Sequence, residues 1–202
     1  MPRVIVSSET LTWGELDVPL FGCVRDWYGE LVEPPAGWCL VEDPGHLWFI
    51  ASRAKPAQLH PASRPGKFQA ELWKHDVAEL FMASPDRSRY LEINLSPNGA
   101  WWSCHFDGPR RRREPEDRPL EGVKTHADLG PDGRWVAAIA IPLEMLRREI
   151  GYGADTPMNV TFILDSPAQR FLTVAAAVAG DPDFHRPDAF PVVERIDVGL
   201  PG

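Results

Sequence analysis

The sequence predicts an all-β fold: an antiparallel β-sandwich, immunoglobulin-like or jelly-roll-like, with one or two short helices. Three observations carry that expectation. Short runs rich in β-branched and aromatic residues recur along the chain, each closed by Pro, Gly, Asp or Asn. Proline, at 21 of 202 residues, bounds many of those runs, which suits short strands and suits long helices badly. Helical periodicity with helix-type ends is confined to one good segment and one weaker one.

Taken in order, Val4–Ser7 opens the series of strands. Trp38–Val41 and Leu47–Ser52 flank the turn Asp43-Pro44-Gly45. Val77–Ala83 and Tyr90–Leu95 flank Ser84-Pro85-Asp86, and Ser96-Pro97-Asn98-Gly99 leads into Ala100–Asp107. Val123–Leu129 and Trp135–Ile141 flank Gly130-Pro131-Asp132-Gly133, and Asn159–Asp165, Phe171–Ala176 and Glu194–Val198 complete the set. The segment Pro142 to Ile150 reads as a helix, with proline in its first turn, Gly151 just past its end, and Leu143, Leu146 and Ile150 on one side. A second, weaker helix covers Ala70–Trp73. There is no internal repeat and no long linker, so residues 1–202 are expected to form one domain.

Composition narrows the function classes. The apolar fraction of 44% is enough for a sizeable core. The formal charge of −8 argues against binding a phosphate backbone or an anionic membrane. Cys23, Cys39 and Cys104 lack a C-x-x-C spacing and read as reduced core thiols. The opening MPRVIVSSETLTWGEL lacks the layout of a signal peptide, and a cytoplasmic protein is expected. The segment 107–119, DGPRRRREPEDRP, carries five arginines and four acids without apolar periodicity. Interleaved acids favour a self-neutralising exposed loop over an anion-binding patch.

Alternate residues of a strand face opposite ways, so each strand divides into two sets. Leu91, Ile93 and Leu95 are expected inward, with Tyr90, Glu92 and Asn94 outward. Ala78, Leu80 and Met82 are likewise inward, opposite Val77, Glu79 and Phe81. In the next strand Trp102, Cys104 and Phe106 form one set and Trp101, Ser103 and His105 the other. If these strands are neighbours, one sheet displays Glu79, Glu92, Asn94, Ser103 and His105 beside Trp101. Carboxylates and amides on a rigid sheet suit the hydroxyls of a polyol, while a ring face stacks. An ordinary solvated sheet face shows the same alternation.

The string WKHDVAELFM (73–82), followed by YLEINLSPNGAW (90–101), resembles the carbohydrate-binding module family 9 and DOMON-like sandwich domains. Those domains have an aromatic and an acidic pair ahead of a VE-(apolar)-F strand, then a Y-x-E hairpin ending in P-x-G. GRWVAAIAIPL (133–143) is similar to the family's segment entering its short helix, and MNVTF (158–162) to the strand that follows. DFHRPDAF (183–190) resembles the close of one bacterial branch. The resemblance runs from about residue 35 to the C-terminus. It implies a sandwich whose sugar-binding members hold a terminal sugar between two tryptophans, with charged and amide side chains on its hydroxyls. Trp73 and Glu79 match the first tryptophan and a sugar-binding carboxylate. The second tryptophan is absent from QRFLTVAAA (169–177), leaving Phe171 or Trp101 as stand-ins, and Trp135 lacks the glutamate that follows it in the family.

Non-catalytic binding of a small ligand, a carbohydrate or another polyhydroxylated or zwitterionic molecule, is therefore expected. The ligand-binding residues are Trp73, Glu79, Asn94, Trp101, His105 and Arg170. Structural or protein-interaction function is the alternative from a different class. Glycoside hydrolysis would use Glu79 and Glu92, but nothing in the sequence indicates the deep site that desolvates one acid. No cofactor is expected. Calcium is a candidate at Asp181, Asp183, His185 and Asp188 or at His75 and Asp76, against which stands the irregular spacing. Haem through Met82 is the DOMON-type rival, and a core methionine is the simpler reading.

Overall fold

Strands with an apolar set on one face need a second layer over that face, and two stacked sheets provide it. The computed structural model describes residues 3–197. In chain order the strands are β1 (Arg3–Val6), β2 (Phe21–Arg25), β3 (Leu31–Glu42), β4 (His46–Arg53), β5 (Val77–Ala83), β6 (Tyr90–Leu95) and β7 (Trp101–Phe106). They continue as β8 (Lys124–Leu129), β9 (Trp135–Pro142), β10 (Met158–Leu164), β11 (Arg170–Thr173) and β12 (Glu194–Asp197), with one helix, α1 (Leu143–Ile150). A seven-stranded sheet runs β12-β1-β3-β4-β9-β8, with β2 also on β3, and a five-stranded sheet runs β11-β10-β5-β6-β7.

The sandwich and nearly all expected strands are present. The end of the last one, Val198, lies outside the described residues. Three features differ from expectation. β1 pairs in parallel with both β3 and β12, so the larger sheet is mixed. β2 was not anticipated, and β3 begins seven residues earlier than Trp38, at Leu31. Arg25 pairs with Leu31 and Cys23 with Ala36, so Pro34 and Pro35 fall where the register shifts. A bulge tolerates a missing N–H. At Ala70–Trp73 there is only a 3₁₀ turn, Leu72–Lys74.

Between the sheets, Leu40, Leu47 and Phe49 meet Leu80, Met82, Leu91, Ile93, Val160 and Phe162. Helix α1 buries Leu143, Met145, Leu146 and Ile150 in the same core. It ends at Gly151, whose φ of 69° closes the last turn with its N–H on the Arg147 and Leu146 carbonyls.

Both outer faces are covered as well. Over the larger sheet, Leu11, Trp13, Leu16 and Val18 pack on Val41, Trp48, Ile50 and Ala138. Trp13 and Trp48 each stack on His126, at centroid distances of 5.3 and 6.1 Å. Buried Asp43 ties this covering segment down, accepting bonds from the Leu11 N–H (3.1 Å), the Trp48 indole (2.9 Å), and the N–H groups of Gly45 and His46. Over the smaller sheet, Phe184 and Phe190 pack on Phe81. This burial on two faces explains why every residue of β5, β6 and β10 is buried.

Phe162, fully buried between the sheets, should cost about 3–5 kcal/mol of unfolding free energy when replaced by alanine. Leu129→Ala, at a site 56% exposed, should cost no more than about 0.5 kcal/mol. Urea titrations of the two variants would read this, and equal losses would contradict the location of the core.

Candidate functional site

The outer face of the five-stranded sheet carries the chemistry. Register decides which side chains meet there. Glu79 of β5 lies opposite Asn94 of β6 and Thr161 of β10, and Phe81 lies opposite Glu92. On β7, Trp102 faces Asn94 and Cys104 faces Glu92. Glu79, Glu92, Asn94, Thr161 and Trp102 therefore share one face. Above it lies a cavity of about 410 Å³, within the range common for small-molecule sites. Glu79, Phe81 and Glu92 line its middle, Ile163, Phe171, Trp73 and Gln169 the β11 side, and Trp102, Phe106, Arg110 and Arg112 the β7 side. Phe184 and His185 come from the segment after β11.

Two buried carboxyls on adjacent strands set the electrostatics. Glu79 and Glu92 are 2% and 4% exposed. Burial raises both above the usual carboxylate range, and for Glu92 the neighbouring Glu79 charge raises it further. Thr161 Oγ1 donates to Glu79 Oε2 at 2.8 Å. His185 is pushed down to about 4, first by burial and then by the Arg110 charge, so its ring is neutral at pH 7. Its Nδ1 lies 2.8 Å from the Tyr90 hydroxyl, which also accepts the Arg110 N–H at 3.0 Å. The ring's other nitrogen, Nε2, faces Glu92 Oε2 at 3.8 Å. The Trp102 indole nitrogen is buried without a hydrogen-bond partner among the described residues.

Aromatic walls around hydrogen-bonding carboxyls can hold a ring by its faces and its hydroxyls together. No family model matches the chain. A relative described as an extracellular protein of Arthroderma benhamiae is 27% identical over 125 residues, 56% of this chain, and the chain spans 55% of that relative's length. Solved structures align along nearly the whole chain. A Bacteroides uniformis protein assigned as carbohydrate-binding superposes with a TM-score of 0.68 at 13% identity, covering 97% of this chain and 100% of its own. A carbohydrate-binding module of family 9 from Caldicellulosiruptor kristjanssonii, solved with glucose, gives 0.62 at 15% identity, covering 98% and 97%. The same organism's module with cellotriose gives 0.61 at 15%, covering 98% and 95%. The fold is that of carbohydrate-binding module family 9.

Within this family 9 fold, Trp73 and Glu79 line the cavity, and Trp73 is 48% exposed there. Asn94 shares the face but is fully buried and is not part of the cavity wall. Trp101 and His105 are on the other side of the sheet, which corrects the expectation that they stand beside Glu79. Trp101 packs in the inter-sheet core and edge-on against Phe68 at 5.1 Å. Ser103 and His105 face the same way, toward the Arg118 carbonyl (3.4 Å) and Glu149 of α1 (3.4 Å). β7 is an edge strand with aromatics on both faces, so alternation could not say which set goes in. Arg170 is also off the cavity. It binds Asp26 Oδ2 at 2.5 Å and the Leu31 carbonyl at 2.9 Å, tying β11 to the β2–β3 connection.

Trp102, Phe106, Arg110, Arg112 and His185 were not in the expected set. His185 lies in the motif that resembles the bacterial branch, and the arginines lie in the 107–119 segment, so both had a signal. The calcium candidates are dispersed: Asp183 binds Arg110 (2.7 Å), Asp188 pairs with Arg186 (3.3 Å), and Asp76 accepts the N–H groups of Gln58 and Ser166. Among the described residues no three His, Cys, Asp or Glu side chains form a metal-ligating group. Met82 is core packing between the sheets.

The raised carboxyls and the lowered histidine act oppositely on stability. His185 favours folding increasingly from about pH 4, and its contribution is complete above 6.5, its ordinary value. Glu79 and Glu92 favour folding while protonated, and their contribution declines above 4.5, their ordinary value, as the unfolded chain alone releases protons. Above pH 6.5 the carboxyls act unopposed by His185, so unfolding free energy should fall as pH rises from there. Glu92→Gln should flatten that slope in urea titrations, and an unchanged slope would contradict its buried, protonated state.

Proposed function

We propose that the chain is a non-catalytic carbohydrate-binding domain whose site is the outer-face cavity. A sugar ring rests against Trp73 and the Trp102–Phe106 wall, and its hydroxyls bond Glu79 and Glu92. The observation that carries this reading is the meeting of two buried carboxyls with aromatic walls in one cavity on a rigid sheet. The family 9 fold, whose neighbours include modules solved with glucose and with cellotriose, supports it. Hydrolysis fits the arrangement less well. Glu79 and Glu92 stand side by side on one sheet face, whereas glycosidase carboxyls flank the scissile bond. Burial also pushes both the same way, rather than ionising one and protonating the other.

Titration with a panel of mono- and disaccharides, followed by tryptophan fluorescence and calorimetry, tests this. At least one sugar should bind and raise the melting temperature. Trp73→Ala and Trp102→Ala should each weaken that sugar by about 1–3 kcal/mol, roughly fivefold to 150-fold. Folded protein that is silent across the panel would sink the carbohydrate reading.

A further inference from the structure

The arginine-rich segment folds back on the site. After β7 the chain reverses in a turn closed by the Asp107 N–H on the Arg111 carbonyl (2.9 Å). It then pairs again with β7, with Arg112 bridged to Phe106 and the Arg113 N–H on the His105 carbonyl at 2.9 Å. Arg110 has a left-handed φ of 55°, which L-residues seldom adopt and which the turn imposes. This pairing brings Arg112 over Trp102, with its guanidinium carbon 5.3 Å from the ring centroid. Arg110 stands near enough to Glu79, Glu92 and His185 for its charge to act on all three.

Each of these guanidinium groups is anchored to a carboxylate and has donors left over. Arg112 Nη1 binds Asp117 Oδ1 at 2.8 Å, and Arg110 Nη2 binds Asp183 Oδ1 at 2.7 Å. Those are the only side-chain hydrogen bonds of the two groups among the described residues. Stacking on an indole and an anchor at one nitrogen hold the fork in place. Arg113, bound to Asp107 at 3.0 Å, takes no part in the cavity wall.

We propose that Arg110 and Arg112 make this site selective for acidic sugars, with a ligand carboxylate held by the two guanidinium groups and the ligand hydroxyls on Glu79 and Glu92. The proposal rests on the carbohydrate reading above and deepens it. A cavity with a carboxyl floor and an arginine rim matches a uronic acid, whose carboxylate and hydroxyls lie at different edges of one ring. Burial raises both carboxyls above their ordinary range, Glu79 to about 7, which lessens the floor's negative charge and its repulsion of the anion. Arginine recognises a carboxylate through paired N–H donors, which a neutral hydroxymethyl group cannot match.

Calorimetric titration of the full chain with methyl β-glucuronide and methyl β-glucoside decides it, since the two differ only at the sugar's sixth carbon. The glucuronide should bind at least about tenfold more tightly, and that advantage should shrink when salt is raised to about 0.5 M. The variant R110Q/R112Q should bring the affinity ratio to about one, while Arg113→Gln keeps it, with folding checked by thermal melting. Equal binding of both glycosides, or a preference for the glucoside, overturns the acidic-sugar assignment and leaves the carbohydrate reading intact. A glucuronide preference that survives in R110Q/R112Q overturns the role of the arginines. Binding of neither glycoside, nor of any sugar in the wider panel, overturns both proposals together.

Discussion

Two carboxyl groups are held in a sheet face that water scarcely reaches, and the rest of the site is organised around that cost. A bare buried carboxylate is expensive. Here the expense is limited by holding Glu79 and Glu92 toward their protonated forms and by giving Glu79 the Thr161 hydroxyl. The same desolvation lets these carboxyls bond strongly to a ligand hydroxyl, because few water molecules compete there.

The burial is created by two segments that reach the face from different parts of the chain. The segment after β11 brings Phe184, His185 and Phe190 over Phe81, and Arg87 holds it by bonding the carbonyls of Pro187, Asp188 and Phe190. The arginine hairpin after β7 brings Arg110 and Arg112. Both meet at one hydroxyl, that of Tyr90, which bonds His185 Nδ1 and the Arg110 N–H while its ring stacks on Phe106 at 4.7 Å. The walls of the cavity are thus keyed to a residue on its rigid floor strand. The opposite outer face is covered differently, by the segment around Trp13, and among the described residues it carries no comparable pair of buried carboxyls.

How much of this was legible in the sequence follows from the range of each signal. Alternation in YLEINL and VAELFMA placed Glu79, Glu92 and Asn94 together, because the core-facing leucines of those strands leave one assignment of faces. The turns Ser84-Pro85-Asp86 and Ser96-Pro97-Asn98-Gly99 allowed β5, β6 and β7 to be neighbours, and the strand register makes them so. Trp101 and Trp102 are equally apolar, so the faces of β7 were undetermined until it was seen to be an edge strand overhanging the core, where Ser103 and His105 meet α1 and the chain near Arg118.

Local patterning is enough to fix the sandwich, the positions of its central strands and helix, and the face of its strand on which each carboxyl stands, because period-two alternation and turn chemistry act over a few residues. Tertiary structure decided which segments cover the outer face. It turned Arg170 away to Asp26, made Trp102 the wall in place of Trp101, and brought two arginines of a self-neutralising segment over the carboxyls. Those choices depend on side-chain contacts between segments far apart in the chain, such as Tyr90 with His185 and Arg170 with Asp26, and no local periodicity records them.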